Sequence, residues 1–70
     1  MNWTDELTEL NNFFDSIELP ETIELNGWEK IIDPKKFVTN HLSLCWYNNG
    51  DSSALPYLDR LREVKKLLSK

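Results

Sequence analysis

Apolar residues recur along this chain at helical and at strand spacing in turn. Leu7, Leu10, Phe14 and Ile17 follow one another at intervals of three, four and three residues, with Phe13 beside them. That is one stripe of an α-helix. Thr4 precedes it as an expected N-cap, and Asp5 and Glu6 suit the positive end of the helix dipole. The polar residues Asp5, Thr8, Glu9, Asn12 and Ser16 fall on the other face. A first helix is expected over about residues 5–16, because Pro20 opposes its extension through Leu19.

The pattern then changes. Thr22-Ile23-Glu24-Leu25 alternates, Asn26-Gly27 is a strong hairpin turn signal, and Trp28 to Ile31 follows. A two-residue turn would pair Leu25 with Trp28 and Ile23 with Lys30, and would set Glu24 against Glu29. Residues 21–32 therefore read as a short β-hairpin or an extended segment lying across the helices. Either form must dock its apolar face on the helical core, since a lone hairpin is marginal in water.

Asp33-Pro34 starts a second helix, with Asp at the N-cap and Pro at the first helical position. Over about residues 34–47 it carries Phe37, Val38, His41, Leu42, Leu44 and Cys45 on one broad arc. Trp46 falls at the rim of that arc and Tyr47 on the outer side, among the uncharged Thr39, Asn40 and Ser43. Asn48-Asn49-Gly50 ends the helix and offers a left-handed cap. Asp51-Ser52-Ser53 supplies caps for a third helix over about 55–69, with Pro56 in its first turn. Its stripe is Tyr57, Leu58, Leu61, Val64 and Leu68, and Glu63 with Lys66 forms an i,i+3 pair of opposite sign. The expected fold class is mainly α: a small three-helix domain with a hairpin or extended segment between helix 1 and helix 2.

Length makes this one domain. Seventy residues bury roughly 60% of their unfolded surface, so the core is small. Three Trp, three Phe and two Tyr are the available compensation. Charge is uneven. Residues 1–33 hold nine acids and one base, while residues 34–70 hold seven bases and three acids, and the whole chain carries −4. Two halves of opposite sign that pack together explain this; an acidic face that repels nucleic acid or recruits a basic partner is the alternative.

Three segments of the chain resemble a family of short bacterial domains of unknown function. They are Glu18-Leu19-Pro20-Glu21-Thr22-Ile23-Glu24-Leu25-Asn26, Ile31-Ile32-Asp33-Pro34-Lys35-Lys36-Phe37-Val38 leading to His41-Leu42, and Leu55-Pro56-Tyr57-Leu58-Asp59-Arg60-Leu61-Arg62. The resemblance implies a shared fold group. It brings no activity, cofactor or site residue with it.

Candidate chemistry is sparse. His41 and Cys45 lie four apart on one helical face, the spacing of a Cys/His pair for nucleophilic catalysis or metal binding. In mid-stripe the same two residues read as a buried small hydrophobe and a histidine bonded to a carbonyl, which is the expectation. Gly27 and Gly50 stand apart and form no phosphate loop. No nucleophile, base and orienter come together in the pattern, so the chain is not expected to be an enzyme. No metal, cofactor or small-molecule ligand is expected.

Arg60, Arg62, Lys65, Lys66 and Lys70 could touch phosphates, but they wrap round helix 3 and alternate with Asp59 and Glu63. A nucleic-acid-associated accessory domain is thus the second reading. The first ten residues carry three acids and no basic leader, and no apolar run approaches the roughly 20 residues of a membrane span, so a cytoplasmic protein away from membranes is expected. The leading reading is a small interaction module that binds another protein. Its candidate surface is Tyr47 and Trp46, extended by Trp28, since aromatics concentrate at binding hot spots. The competing account places Trp46 and Trp28 in the core.

Overall fold

In the computed structural model, which describes residues 2–69, the elements run α1 (Thr4–Ser16), β1 (Ile23–Leu25), β2 (Glu29–Ile31), α2 (Pro34–Tyr47), a 3-10 turn (Ser52–Ala54) and α3 (Leu55–Leu68). The two strands form an antiparallel hairpin between the first two helices. The mainly α expectation holds, and the hairpin is its correct branch.

The entrance to α1 differs from the expectation. Thr4 is the first helical residue, and the N-cap is Trp3, whose side chain makes no cap bond. The Trp3 carbonyl accepts from the Leu7 amide at 2.8 Å. Its own amide donates to Asn49 Oδ1 at 2.6 Å, and the Thr4 amide donates to Asn2 Oδ1 at 2.8 Å. The reason is tertiary. The Trp3 indole is buried, so the chain must enter the helix one residue earlier than local capping requires. From there Leu7, Leu10 and Phe14 are buried, and Phe13 and Ile17 pack at the edge.

The hairpin also departs from the simplest register. Asn26 and Gly27 both adopt positive φ, 59° and 76°, and the Trp28 amide reaches the Leu25 carbonyl at 3.3 Å, so the turn forms where Asn-Gly predicts it. The ladder, however, pairs Leu25 with Glu29, Glu24 with Lys30 and Ile23 with Ile31. Trp28 is left out of it as an extra residue. A one-residue slip exchanges the two faces of a strand. The two-residue register would turn Trp28 and Lys30 toward the core and Ile31 to water. The observed one buries Ile23, Leu25 and Ile31 together, and replaces the Glu24–Glu29 clash with a Glu24–Lys30 pair.

Asp33 caps α2 as expected, its Oδ1 accepting from the Lys36 amide at 3.2 Å with Pro34 at the first helical position. Pro34, Val38, His41, Leu42 and Cys45 are buried. Leu44, expected on the inward arc, is 38% exposed. At 100° per residue it lies roughly 100° from the middle of the buried set, past the edge of contact. The helix ends at Asn48, whose amide and side-chain amide both donate to the Leu44 carbonyl at 3.0 Å. Gly50, at φ 82°, supplies the left-handed residue of the turn beyond the cap.

Asp51 Oδ1 accepts from the Ser53 amide at 3.0 Å, and the 3-10 turn leads directly into α3. Leu58, Leu61 and Val64 of α3 are fully buried. Tyr57, at the head of the expected stripe, is partly exposed instead. The expected Glu63–Lys66 pair is not formed among the described residues; Arg62 pairs with Asp59 at 3.0 Å. Arg62 also grips Glu6 of α1 through two bonds, Nε to Oε2 at 2.6 Å and Nη2 to Oε1 at 2.7 Å. Arg60 reaches Glu29 of β2 at 3.2 Å. The basic second half of the chain thus meets the acidic first half, with each exposed pair worth about 0–1 kcal/mol.

The three helices and the hairpin share one core centred on Leu7, Leu10, Leu25, Leu58 and Leu61. Leu61→Ala is expected to lower stability by about 2–5 kcal/mol through the cavity it leaves. In so small a domain that approaches the whole margin, and urea unfolding followed by far-UV dichroism would measure it.

Candidate functional site

The His41–Cys45 face points inward. Cys45 is fully buried and His41 is 9% exposed. The His41 ring stacks on Phe37, with centroids 3.9 Å apart and planes at 25°, and meets the Tyr57 ring edge-on at 5.4 Å. Its Nδ1 lies 2.8 Å from the Phe37 carbonyl one turn back, so Nδ1–H donates there in the neutral ring. Nε2 is buried without a partner among the described residues.

Burial pushes the His41 pKa below its ordinary value; the bond to the Phe37 carbonyl opposes this, the nearby Arg60 charge adds to it, and Glu29 works the other way. Burial also pushes the Cys45 thiol up, aided by the negative charge of Glu6. Burial thus favours the protonated thiol and the neutral imidazole, in contrast to the exposed low-pKa thiol of nucleophilic catalysis. Among the described residues no three His, Cys, Asp or Glu side chains gather to hold a metal.

The three candidate partner residues lie on the surface to different degrees. Tyr47 is 89% exposed, Trp28 76% and Trp46 41%. Helical geometry explains the first and last: Tyr47 lies roughly 165° from the buried centre of α2, and Trp46 roughly 95° from it. Thr39, Asn40 and Ser43 are exposed on the same helix, giving an outer face with charge only at Lys35 and Lys36 in its first turn. Trp28 is outside for a separate reason, because the hairpin register expels it. Trp3, by contrast, is buried, so of the three tryptophans only this one fills the core.

One feature escaped the hydrophobic pattern. A cleft of about 540 Å³ opens between the C-terminal half of α1, the connection at residues 17–21 and the N-terminal half of α2. Phe14, Leu19, Val38 and Leu42 contribute its apolar lining. The only signal for it in the sequence is Pro20, which ends the helical path and carries the chain across the gap between α1 and α2. Ile32, 77% exposed, stands at one edge.

The family model described as domain of unknown function (DUF6965) matches residues 5–70. The chain belongs to this family. The family expectation drawn from the three segments is met, and membership carries the fold group without an assigned activity. No curated protein and no solved structure gives a significant match. Among the described residues no helix is long and apolar enough to cross a membrane.

Two measurements test the inward face. Cys45 is expected to react with a thiol reagent slowly in native buffer and rapidly in denaturant. Acid is expected to destabilise the fold in two windows. The folded His41 pKa lies below the ordinary 6.5, so the unfolded chain takes up that proton first, and stability falls as pH drops from about 6.5 toward the lower folded value. Glu6, held below 4.5 chiefly by its bond to Arg62, contributes stability above about pH 4.5 that is lost as pH falls through its folded value. A Tm series against pH should show both declines, and His41→Leu should remove the upper one.

Proposed function

We propose that this chain is a small protein-interaction module without catalytic activity. Its partner surface lies at Tyr47 and Trp46, at the C-terminal end of α2, and is extended by Trp28 at the hairpin turn. The observation that supports it is the outward placement of these large aromatics in a chain with so little core to spare: Tyr47 is 89% and Trp28 76% exposed. Exposed Tyr and Trp combine large contact area with few rotatable bonds, which is why they anchor interfaces. The neighbouring Thr39, Asn40 and Ser43 are cheap to desolvate compared with charged groups. The polar turn Asn48-Asn49-Gly50-Asp51, held by the Trp3 amide's bond to Asn49 and the Asp51 amide's bond to the Asn48 carbonyl, gives Tyr47 a fixed polar border.

The same reading accounts for three of the helix 3 cations. Arg60 is paired with Glu29, Arg62 with Glu6 and Asp59, and Lys65 stands 5.7 Å over the Phe13 ring. Groups engaged in this way are poorly placed to grip phosphates, so a nucleic-acid role gains no support. The setting proposed is the cytoplasm, with another protein as partner and no cofactor.

A Tyr47→Ala/Trp46→Ser double variant is expected to fold and to lose the partners that the tagged parent captures from cells. Tyr47→Ala and Trp28→Ala alone should change stability by no more than about 0.5 kcal/mol, as surface substitutions do. A folded double variant that captures partners as well as the parent does would reject this surface. Unfolding by Trp46→Ser alone would restrict it to Tyr47 and Trp28.

A further inference from the structure

We infer that the cleft between α1 and α2 is a second recognition site, and that its occupant is a partner-protein segment with a large apolar side chain flanked by lysine or arginine. The inference rests on the interaction-module reading and shares only Trp46 with the aromatic surface.

Two features of the cleft carry it. The first is a partly apolar floor in an open depression of about 540 Å³, a volume within the range of sites that take a few side chains. Phe14, Val38 and Leu42 form its deep part, and each keeps one side against the core while lining the cleft. Leu19 and Pro20 close one flank. The second is the sign of the rim. Asp15, Glu18, Glu21 and Asp33 stand around the opening with Lys35 as the single base, and all five are exposed. Clefts walled by low-dielectric surface concentrate the field of such charges, so a cationic segment is drawn in and an acidic one is repelled.

The cleft has a direction as well. Lys35, Thr39 and Leu42 line it from α2 at intervals of four and three residues, and Trp46 is the next position in that row. The half-exposed indole therefore continues the α2 wall beyond the cleft. The bond from Trp3 to Asn49 places the N-terminus of α1 beside the C-terminus of α2, so the two helices run antiparallel and the groove between them points from Glu18 toward Trp46. A bound segment can lay its apolar side chain on Val38 and Leu42, its cations against Glu18 and Glu21, and a further apolar group on Trp46. A second copy of this chain is a weaker occupant, because the arginines of its basic α3 are already paired with Glu29, Glu6 and Asp59.

The test is selection of a random linear peptide library on the full chain, followed by fluorescence anisotropy of an enriched peptide. Enriched peptides are expected to place Lys or Arg beside Leu, Ile, Phe or Trp, and their binding should weaken as salt rises. Thr39→Trp fills the cleft from an exposed helical position. Glu18→Lys/Glu21→Lys reverses the rim without touching the core. Each folded variant should bind at least roughly tenfold more weakly. The inference is overturned if no peptide is enriched, if the enriched peptides lack basic residues, or if both folded variants bind as the parent does. It is equally overturned if sedimentation shows a self-associated chain that Thr39→Trp returns to monomer, since a second copy then fills the cleft. The two sites fail separately: peptides lost only with Tyr47→Ala or Trp28→Ala would refute the cleft and leave the aromatic surface standing. Peptides lost only with the cleft variants would do the reverse for that ligand.

Discussion

Ile23, Leu25 and Ile31 of the hairpin must enter the same core that the three helix stripes build, and the rest of the domain is arranged around that demand. A two-stranded hairpin is not stable alone, so its apolar face has to be covered by helices. The helices in turn share one buried cluster with Ile23, Leu25 and Ile31. The fully buried group mixes Leu7 and Leu10 of α1, Leu25 of β1, Cys45 of α2 and Leu58, Leu61 and Val64 of α3. The hairpin therefore acts as the lid of a helical core. Its register is chosen by burial, and the expulsion of Trp28 follows from the choice.

The charges organise the outside of the same assembly. The acidic first half and the basic second half meet at Arg62–Glu6 and Arg60–Glu29, which join α3 to α1 and to β2. These pairs are partly exposed, so their effect on stability is modest. Their larger consequence is to occupy α3's arginines internally. Among the described residues the acids around the mouth of the cleft form no ion pair; Asp33 caps α2 and Asp15 accepts from Asn11 at 3.5 Å, so their charge stays at the opening.

His41 and Cys45 show how a suggestive spacing is resolved by environment. Residues four apart on a helix share a face whatever they do. Here that face is the inside, where Phe37 and Tyr57 pack on the imidazole and burial favours the uncharged form of both groups. The features proposed for recognition lie outside instead: the exposed aromatics Tyr47, Trp46 and Trp28, and the cleft between α1 and α2.

Local chemistry alone determined the three helices, the Asp33-Pro34 start, the Asn26-Gly27 turn, the inward His41 and Cys45 and the outward Tyr47. Each of these follows from helical periodicity or from the backbone preferences of a few residues, and both are properties of short stretches of chain. Tertiary structure decided the rest. Trp3 is buried and Trp28 is not, and the choice depends on which elements lie opposite each. The hairpin slipped by one residue because three apolar side chains far from the turn outweighed the pairing that the turn preferred. Leu44 turned outward because the width of the buried arc is set by neighbouring helices. Beyond Pro20 the cleft had no signal, for the same reason. Its lining comes from α1, the residue 17–21 connection and α2, and a space between elements has no periodicity of its own until packing fixes their separation.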